Sequence, residues 1–456
     1  MQMLQVKERV FGVKKILTIE MLPFKPCVFS LHDMNAVMTN NDKSQEQNLY
    51  SRYLELFIVA TLSVSMMAIF FNLPRWTRAF GESGFAALLL WAIYNKRKPV
   101  HSIPHFLIVM SVLYILSYVI NVFKCPDPTW EHVNIRKYIY IIISGLLYAF
   151  PLKDTYRRFM IIVFFSSAAI AGAEGIFQYL SLKWGIGSRA QGFSGNPLHY
   201  AGLLAFVCSA TIIMLFIRER EMFGSKWGVL FLSAAGILTF MGILFSQARG
   251  VWVALIVAIT VTLTIYDKRK ALMFIIIIIT ALSFFFYFSS NLRDSALSVV
   301  TYGFTTDDVK GSAGNRTELW KGALLIFEEA PIFGVGTGNF EPHISKLIHE
   351  NKLKEMPSLV HAHNIFFQAL ATRGIIGFIT TTGLFISLIL WGLGEIRGHC
   401  HVGGHIIILS TALTVIGGLS ENNMEFTKFL ASYCFTIGLL GSLGSIKNSK
   451  EIVELK

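Results

Sequence analysis

Two histidines separated by a single alanine, His361 and His363, are followed by Asn364, nine further residues, and then Gly374 and Gly377. Imidazole gains and loses its proton near neutral pH, so this run is a candidate for proton transfer. Three arginines stand in similarly glycine-rich surroundings: Arg189 within Gly187 to Gly192, Arg249 just before Gly250, and Arg316 in the run from Gly314 to Trp320. Guanidinium grips phosphate oxygens two at a time and never loses its charge, so such a set suits a pyrophosphate, bound or departing. A neutral imidazole beside a bound pyrophosphate is a candidate general base for a hydroxyl nucleophile.

Each feature has a plainer reading. A lone arginine at a helix end reaches for lipid phosphate or for the last carbonyls of its helix, and a histidine is often a satisfied structural residue. A metal site is the competing chemistry for His361 and His363, with His343 and His349 as further ligands. Against it, residues two apart on a helix face different ways, and no acidic residue adjoins the pair to complete a familiar zinc spacing. The reading adopted has no metal and no cofactor. Gly334, Gly336 and Gly338 make a G-x-G-x-G run, but no strand–helix unit surrounds it, so a dinucleotide site is rejected. Gly374 and Gly377 read as small residues that allow close helix packing around the site.

These residues must be positioned by a membrane scaffold. The chain has 456 residues, 54% hydrophobic and only 15% charged, with a mean hydropathy of +0.56, more apolar surface than a soluble domain of this size can bury. Runs such as Phe274 to Ile279 lack the alternation of a membrane barrel, so the spans are helical. The fold class expected is all-α, a polytopic helical bundle with a helical cap outside the membrane. At about 20 residues per crossing, roughly twelve spans fit. They fall near 53–72, 78–95, 104–123, 137–152, 159–181, 197–217, 227–245, 250–266, 271–290, 375–394, 405–420 and 427–446.

The net charge of +12 is scattered between spans rather than gathered on one face, which argues against nucleic acid as a partner. Lys96-Arg97-Lys98, Lys153 with Arg157-Arg158, Arg218 with Arg220 and Lys226, and Lys268-Arg269-Lys270 all fall on one side of a twelve-span chain. By the positive-inside rule that side is cytoplasmic. The expected organisation is a cytoplasmic tail at 1–52, loosely ordered and with Met34 as an alternative start, and nine spans over 53–290. A periplasmic helical loop at 291–374, three spans over 375–446 and a cytoplasmic tail at 447–456 complete it. In the loop, Asn315 to Glu329 reads as an amphipathic helix ended by Pro331, and Lys346 to Lys354 as a shorter one. The five cysteines, Cys27, Cys125, Cys208, Cys400 and Cys434, are widely spaced and suggest neither a disulfide framework nor thiolate zinc.

Taken together, His363-Asn364 with Gly374 and Gly377, Arg316 with Trp320, the turn from Pro331 to Gly336, and Arg189 and Arg249 resemble the O-antigen ligase family. The wider superfamily also holds O-antigen polymerases and some protein O-oligosaccharyltransferases. The resemblance covers about residues 185–380 in motif. It implies a membrane glycosyltransferase of the bacterial inner membrane in lipopolysaccharide biosynthesis, taking a glycan from undecaprenyl pyrophosphate to lipid A-core at the periplasmic face without nucleotide. His363 would then be the base, Arg189, Arg249 and Arg316 would bind donor pyrophosphate or acceptor, and His361, Asn364, Trp320, Gly374 and Gly377 would support them. A single inverting displacement is preferred: Glu318 and Glu341 lie on the cap, and Glu318 reads as a partner of Lys321 or Arg316 rather than a nucleophile. A polymerase or a protein glycosyltransferase is the alternative within the superfamily. From another class, a transporter or flippase of an anionic lipid would show mid-span charges and repeated halves; Glu174 is the main such charge seen.

Overall fold

The computed structural model describes residues 5–11, 14–20, 40–94, 99–124, 135–181, 189–217, 225–288, 312–356, 360–398 and 401–443. Several expectations lie outside the described residues: Lys96-Arg97-Lys98, Arg218 with Arg220, Met34, the stretch 291–311, the tail 447–456, and Cys27, Cys125 and Cys400. The chain divides into two units, Met1–Tyr53 and Leu54–Lys456. In the first, the tail expected to be loosely ordered contains a hairpin, β1 (Gln5–Phe11) paired antiparallel with β2 (Lys14–Glu20). The register pairs Val6 with Ile19, Glu8 with Leu17 and Val10 with Lys15.

The other principal elements described are α-helices. In order these are α1 (Asn40–Phe70), α2 (Pro74–Tyr94), α3 (His105–Val122), α4 (Ile139–Ala149), α5 (Asp154–Leu180), α6 (Pro197–Ile217) and α7 (Lys226–Ser246). There follow α8 (Arg249–Tyr266), α9 (Lys268–Phe288), α10 (Ser312–Glu329), α11 (Phe340–His349), α12 (Ile365–Arg397), α13 (His401–Gly418) and α14 (Thr427–Phe435).

Among the described residues, eight helices are long and apolar enough to cross a membrane: α1 from Leu49, α3, α5, α6, α7, α8, α12 and α13. The count of twelve is therefore not reached, although every expected span is helical over most of its length. The differences are physical. The helix at Pro74–Tyr94 carries Arg75, Arg78 and Glu82, and α4 has only 11 residues, about 17 Å of rise against a hydrocarbon core of about 30 Å. Helix α14 continues only through a π turn to Leu440. The bundle core is one cluster in which α6 is buried nearly throughout, against α7, α8 and α13.

Helices α10 and α11, of the expected cap, have a small core of their own. Leu319, Ala323 and Ile326 of α10 meet Phe340, Ile344 and Leu347 of α11, with Leu353, Ala362 and Ala371. Helix α11 runs from Phe340 to His349, so only the first four residues of the 346–354 segment expected as the second cap helix are helical, and Glu350 to Lys354 are turn and coil. Glu318 does not pair with Lys321 or Arg316: its carboxylate accepts the backbone N–H of Lys354 at 3.3 Å.

Helix α12 begins at Ile365, ten residues before the span expected at 375–394, and passes through a kink at Gly374 (φ 65°, ψ −159°). The kink breaks the helical ladder, and a neighbouring turn repairs it. Ile375 N–H donates to Pro331 C=O at 2.8 Å, while the carbonyls of Ala371 and Thr372 accept from Val335 N–H at 3.1 Å and Gly336 N–H at 2.9 Å. Gly334 (φ 64°) faces the same seam, where a Cβ would lie 2.3 Å from the backbone of Thr372 and Arg373. Thus Gly374 does not serve helix–helix packing as expected. It supplies a backbone conformation closed to other residues, in contact with a turn. Gly377 lies against its own helix, its missing Cβ 2.2 Å from the Cβ of Arg373.

Candidate active site

The two histidines sit on the short approach to α12. Asn364 is the cap: its side-chain oxygen accepts from the N–H groups of Phe366 and Phe367 at 2.9 and 3.2 Å, and its amide donates to Leu419 C=O at 3.2 Å. An Asn in this role satisfies donors that the first helical turn leaves open. His363, just before it, takes a left-handed backbone (φ 47°). For a side chain larger than glycine such a conformation costs roughly 1–3 kcal/mol, and it persists where surrounding contacts fix it. Those contacts are present. Trp320 donates its indole N–H to Ala362 C=O at 3.0 Å and stacks on Phe367, and the side-chain oxygen of Gln368 accepts from Ala362 N–H at 2.8 Å.

Both imidazoles turn toward one carboxylate, Glu421, in the turn after α13. His361 Nε2 lies 2.6 Å from Glu421 Oε1, and His363 Nδ1 lies 3.1 Å from Oε2. A carboxylate can only accept, so the hydrogens belong to the nitrogens. Neutral His363 is thereby held as the Nδ1–H tautomer, with the lone pair on Nε2, and its side chain keeps 19% of its exposure. Burial by itself would raise the Glu421 carboxyl, but hydrogen bonds from His361 and His363 outweigh it and hold the group well below its ordinary value of 4.5.

A stability prediction follows from that sign. A carboxyl lowered on folding stabilises the fold above its unfolded pKa, and that share is lost as pH falls below it. The melting temperature of detergent-solubilised protein is therefore expected to drop as pH falls below about 4.5, and the Glu421→Gln variant to show a shallower fall. Identical slopes for the two proteins would exclude the ionised carboxylate from this role.

Arg189 and Arg249 come together at a second corner. Arg189 Nε donates to Ser246 C=O at 2.9 Å, at the end of α7. Gln247 adopts a left-handed backbone (φ 54°), which lets α8 start at Arg249. Burial first, and the positive charge of Arg249 second, lower the Arg189 guanidinium from its ordinary value. Among the described residues no carboxylate forms an ion pair with either arginine. Two arginines close to the N-terminus of α8 favour an anion. This corner adjoins the histidines: a Cβ on Gly250 would stand 2.8 Å from Ser420 Oγ, the residue before Glu421.

Arg316 is half-buried on the cap, one turn before Trp320, and has no hydrogen bond or ion pair to another site residue among the described residues. Of the metal ligands weighed earlier, His343 is elsewhere, its Nδ1 2.7 Å from Asn339 C=O. The set that could hold an ion is His361, His363 and Glu421, whose ligand atoms lie within 4.8 Å of one another. Those atoms already hydrogen-bond to each other, and an ion would have to displace these bonds.

Glu421 is the residue that sequence reasoning missed. The search for an acidic partner stayed next to the histidines in the chain, whereas Glu421 is 58 residues beyond His363. A signal existed: Glu421 and Glu425 occupy the short turn between two apolar helices, on the side where the expected topology puts His363.

Residues 234–382 match the family model described as O-antigen ligase. The matched stretch contains Arg249, Arg316, Trp320, His361, His363, Gly374 and Gly377, while Arg189 and Glu421 fall outside it. A protein of Haemophilus influenzae, described only as uncharacterized, is 25% identical over 372 residues, covering 76% of this chain and 90% of the relative.

Proposed function

We propose that this multi-pass membrane protein, of the O-antigen ligase family by its domain at residues 234–382, joins a lipid-linked glycan to lipid A-core. The family supports an O-antigen ligase or polymerase type of membrane enzyme, and the ligase reaction is the reading adopted here. The donor is a glycan on undecaprenyl pyrophosphate, and the reaction takes place at the periplasmic face of the inner membrane, with both chain termini cytoplasmic.

The reading rests above all on His363, whose Nδ1–H faces Glu421 and whose Nε2 is left to accept a proton. An acceptor hydroxyl attacks the anomeric carbon. As the new C–O bond forms, its proton passes to His363 Nε2, since an imidazole is too weak to remove it beforehand. The bond from the anomeric carbon to the pyrophosphate oxygen breaks, and undecaprenyl pyrophosphate leaves with the electron pair. Arg189 and Arg249 stabilise that charge, the larger share of the task, and Arg316 and Trp320 border the acceptor from the cap. One displacement inverts the anomeric configuration. Glu421 is occupied by two imidazoles and so acts as their anchor, not as a nucleophile.

The test is a product assay with purified protein, lipid-linked glycan, and lipid A-core either present or absent, in chelator and without nucleotide. Glycan-capped lipid A-core is the expected product. Lengthening of the lipid-linked glycan without lipid A-core would identify a polymerase, and loss of activity in chelator would assign His361, His363 and Glu421 to a metal.

A further inference from the structure

Gln178 stands two residues before the end of the spanning helix α5 and is only 8% exposed. A buried amide there is costly unless its donors and its acceptor are all met. They are met. Its Nε2 donates to Glu174 Oε1 at 3.0 Å and to Gly192 C=O at 3.0 Å, and its Oε1 accepts the backbone N–H of Gln191 at 3.1 Å. A carboxylate and a carbonyl can only accept, so a single orientation of the amide makes all three bonds. Glu174, the mid-span charge that a transporter would display, thus fixes which way the Gln178 amide faces.

The backbone that Gln178 grips belongs to the loop of Arg189. Arg189 opens the described stretch 189–217, and each of the three residues after it is bonded through its backbone. Ala190 N–H donates to Phe245 C=O at 2.9 Å, beside the bond from Arg189 Nε to Ser246 C=O, and Gln191 and Gly192 are the partners of Gln178. Bonds to the end of α7 hold the loop along one edge; those to the end of α5 hold it along the other. Tyr200 of α6 closes a third side. A Cβ on Gly192 would stand 2.4 Å from its ring, and its hydroxyl donates to Ala171 C=O of α5 at 3.1 Å.

We infer that Gln178 is a positioning residue: by clamping Gln191 and Gly192 it holds Arg189 against the α7–α8 corner, where Arg189 and Arg249 take the pyrophosphate of the donor. The inference rests on the anion role given above to these two arginines. Arg249 bears on Arg189 with a like charge, so a guanidinium on a slack loop would swing away from the corner before any anion arrived. A clamped loop keeps it in place in advance, and the donor then binds without first having to order the loop. Gln178 acts through the loop, not on the donor.

Thermal unfolding of the purified protein in a series of inorganic pyrophosphate concentrations tests this. Pyrophosphate is expected to raise the wild-type melting temperature, and Arg189→Ala to lose most of that rise. Gln178→Met, apolar and of similar length, should fold and bind pyrophosphate roughly 10- to 100-fold more weakly, the loss of one charge-assisted hydrogen bond. In transfer assays KM for the lipid-linked glycan should rise with it, while KM for lipid A-core changes by less than about twofold, a split that general loosening of the bundle would not produce. Gln178→Glu keeps the length and the acceptor for Gln191 but sets an oxygen against Gly192 C=O; it should show the same split, and it carries the test if the Met variant does not fold. In an Arg189→Ala background either substitution should cost nothing further in pyrophosphate affinity, because Gln178 acts through Arg189. Wild-type pyrophosphate affinity in the Gln178 variants, or additive losses in the Arg189→Ala background, would overturn the inference. A wild-type protein that pyrophosphate does not stabilise, or an Arg189→Ala variant that keeps the full rise, would instead overturn the anion role on which it rests.

Discussion

His363→Ala is expected to reduce glycan transfer by about 10²- to 10⁴-fold, the range that a positioned general base contributes. The effect should fall on kcat, because the imidazole takes its proton only as the new bond forms and does not hold the donor. Alanine at φ 47° also carries backbone strain, so His363→Asn is the better control: asparagine tolerates the left-handed conformation but cannot serve as a base. The Asn variant should fold to wild-type levels and remain inactive. His361→Ala should retain more activity, since His361 shares Glu421 with the base without replacing it. The measurement is glycan-capped lipopolysaccharide in cells at matched protein levels, followed by single-turnover rates with purified protein. Normal capping by His363→Ala at equal expression would remove His363 from the chemistry.

The largest effect on folding is expected at Gly374. Its φ and ψ lie in a region open essentially to glycine alone, and an added Cβ would stand 2.4 Å from Ile332 O and 2.7 Å from Gly334 N. Both neighbours are backbone, and both belong to the turn that completes the broken helical ladder, so neither can move without losing hydrogen bonds. Gly374→Ala is expected to destabilise by at least about 3 kcal/mol, combining conformational strain with loss of the seam. Gly394, on the same helix with nothing within 4 Å of its missing Cβ, provides the contrast. Gly394→Ala should be neutral or stabilising by up to about 1 kcal/mol. Thermal unfolding of the two variants in one detergent makes the comparison, and equal melting temperatures would refute the account of the kink.

The membrane character of the chain was legible because hydropathy is a local property: α5, α6, α7 and α8 follow the expected spans within a few residues. The histidines and arginines stood out in the sequence because imidazole and guanidinium are suited to proton transfer and to phosphate. What the sequence concealed were encounters between distant segments. Glu421 meets His363 only because α12 and α13 return the chain to the same end of the bundle. The span carried by α12 was expected to start at 375, and the structure extends its helix back to a cap at Asn364, so that Arg373, inside the expected loop 291–374, is helical. The count of twelve spans is not confirmed among the described residues, where α2 carries charge and α4 is short, features that a window average smooths over.

The seam between the 331–336 turn and the kink of α12 is made of peptide groups. Val335, Gly336 and Ile375 contribute N–H, Pro331, Ala371 and Thr372 contribute C=O, and the principal side-chain demand is that two glycines stay bare. An attachment of that kind is nearly indifferent to the identity of the amino acids around it. Substitutions at the outward residues of α10 and α11 therefore leave the attachment of the 331–336 turn to α12 intact.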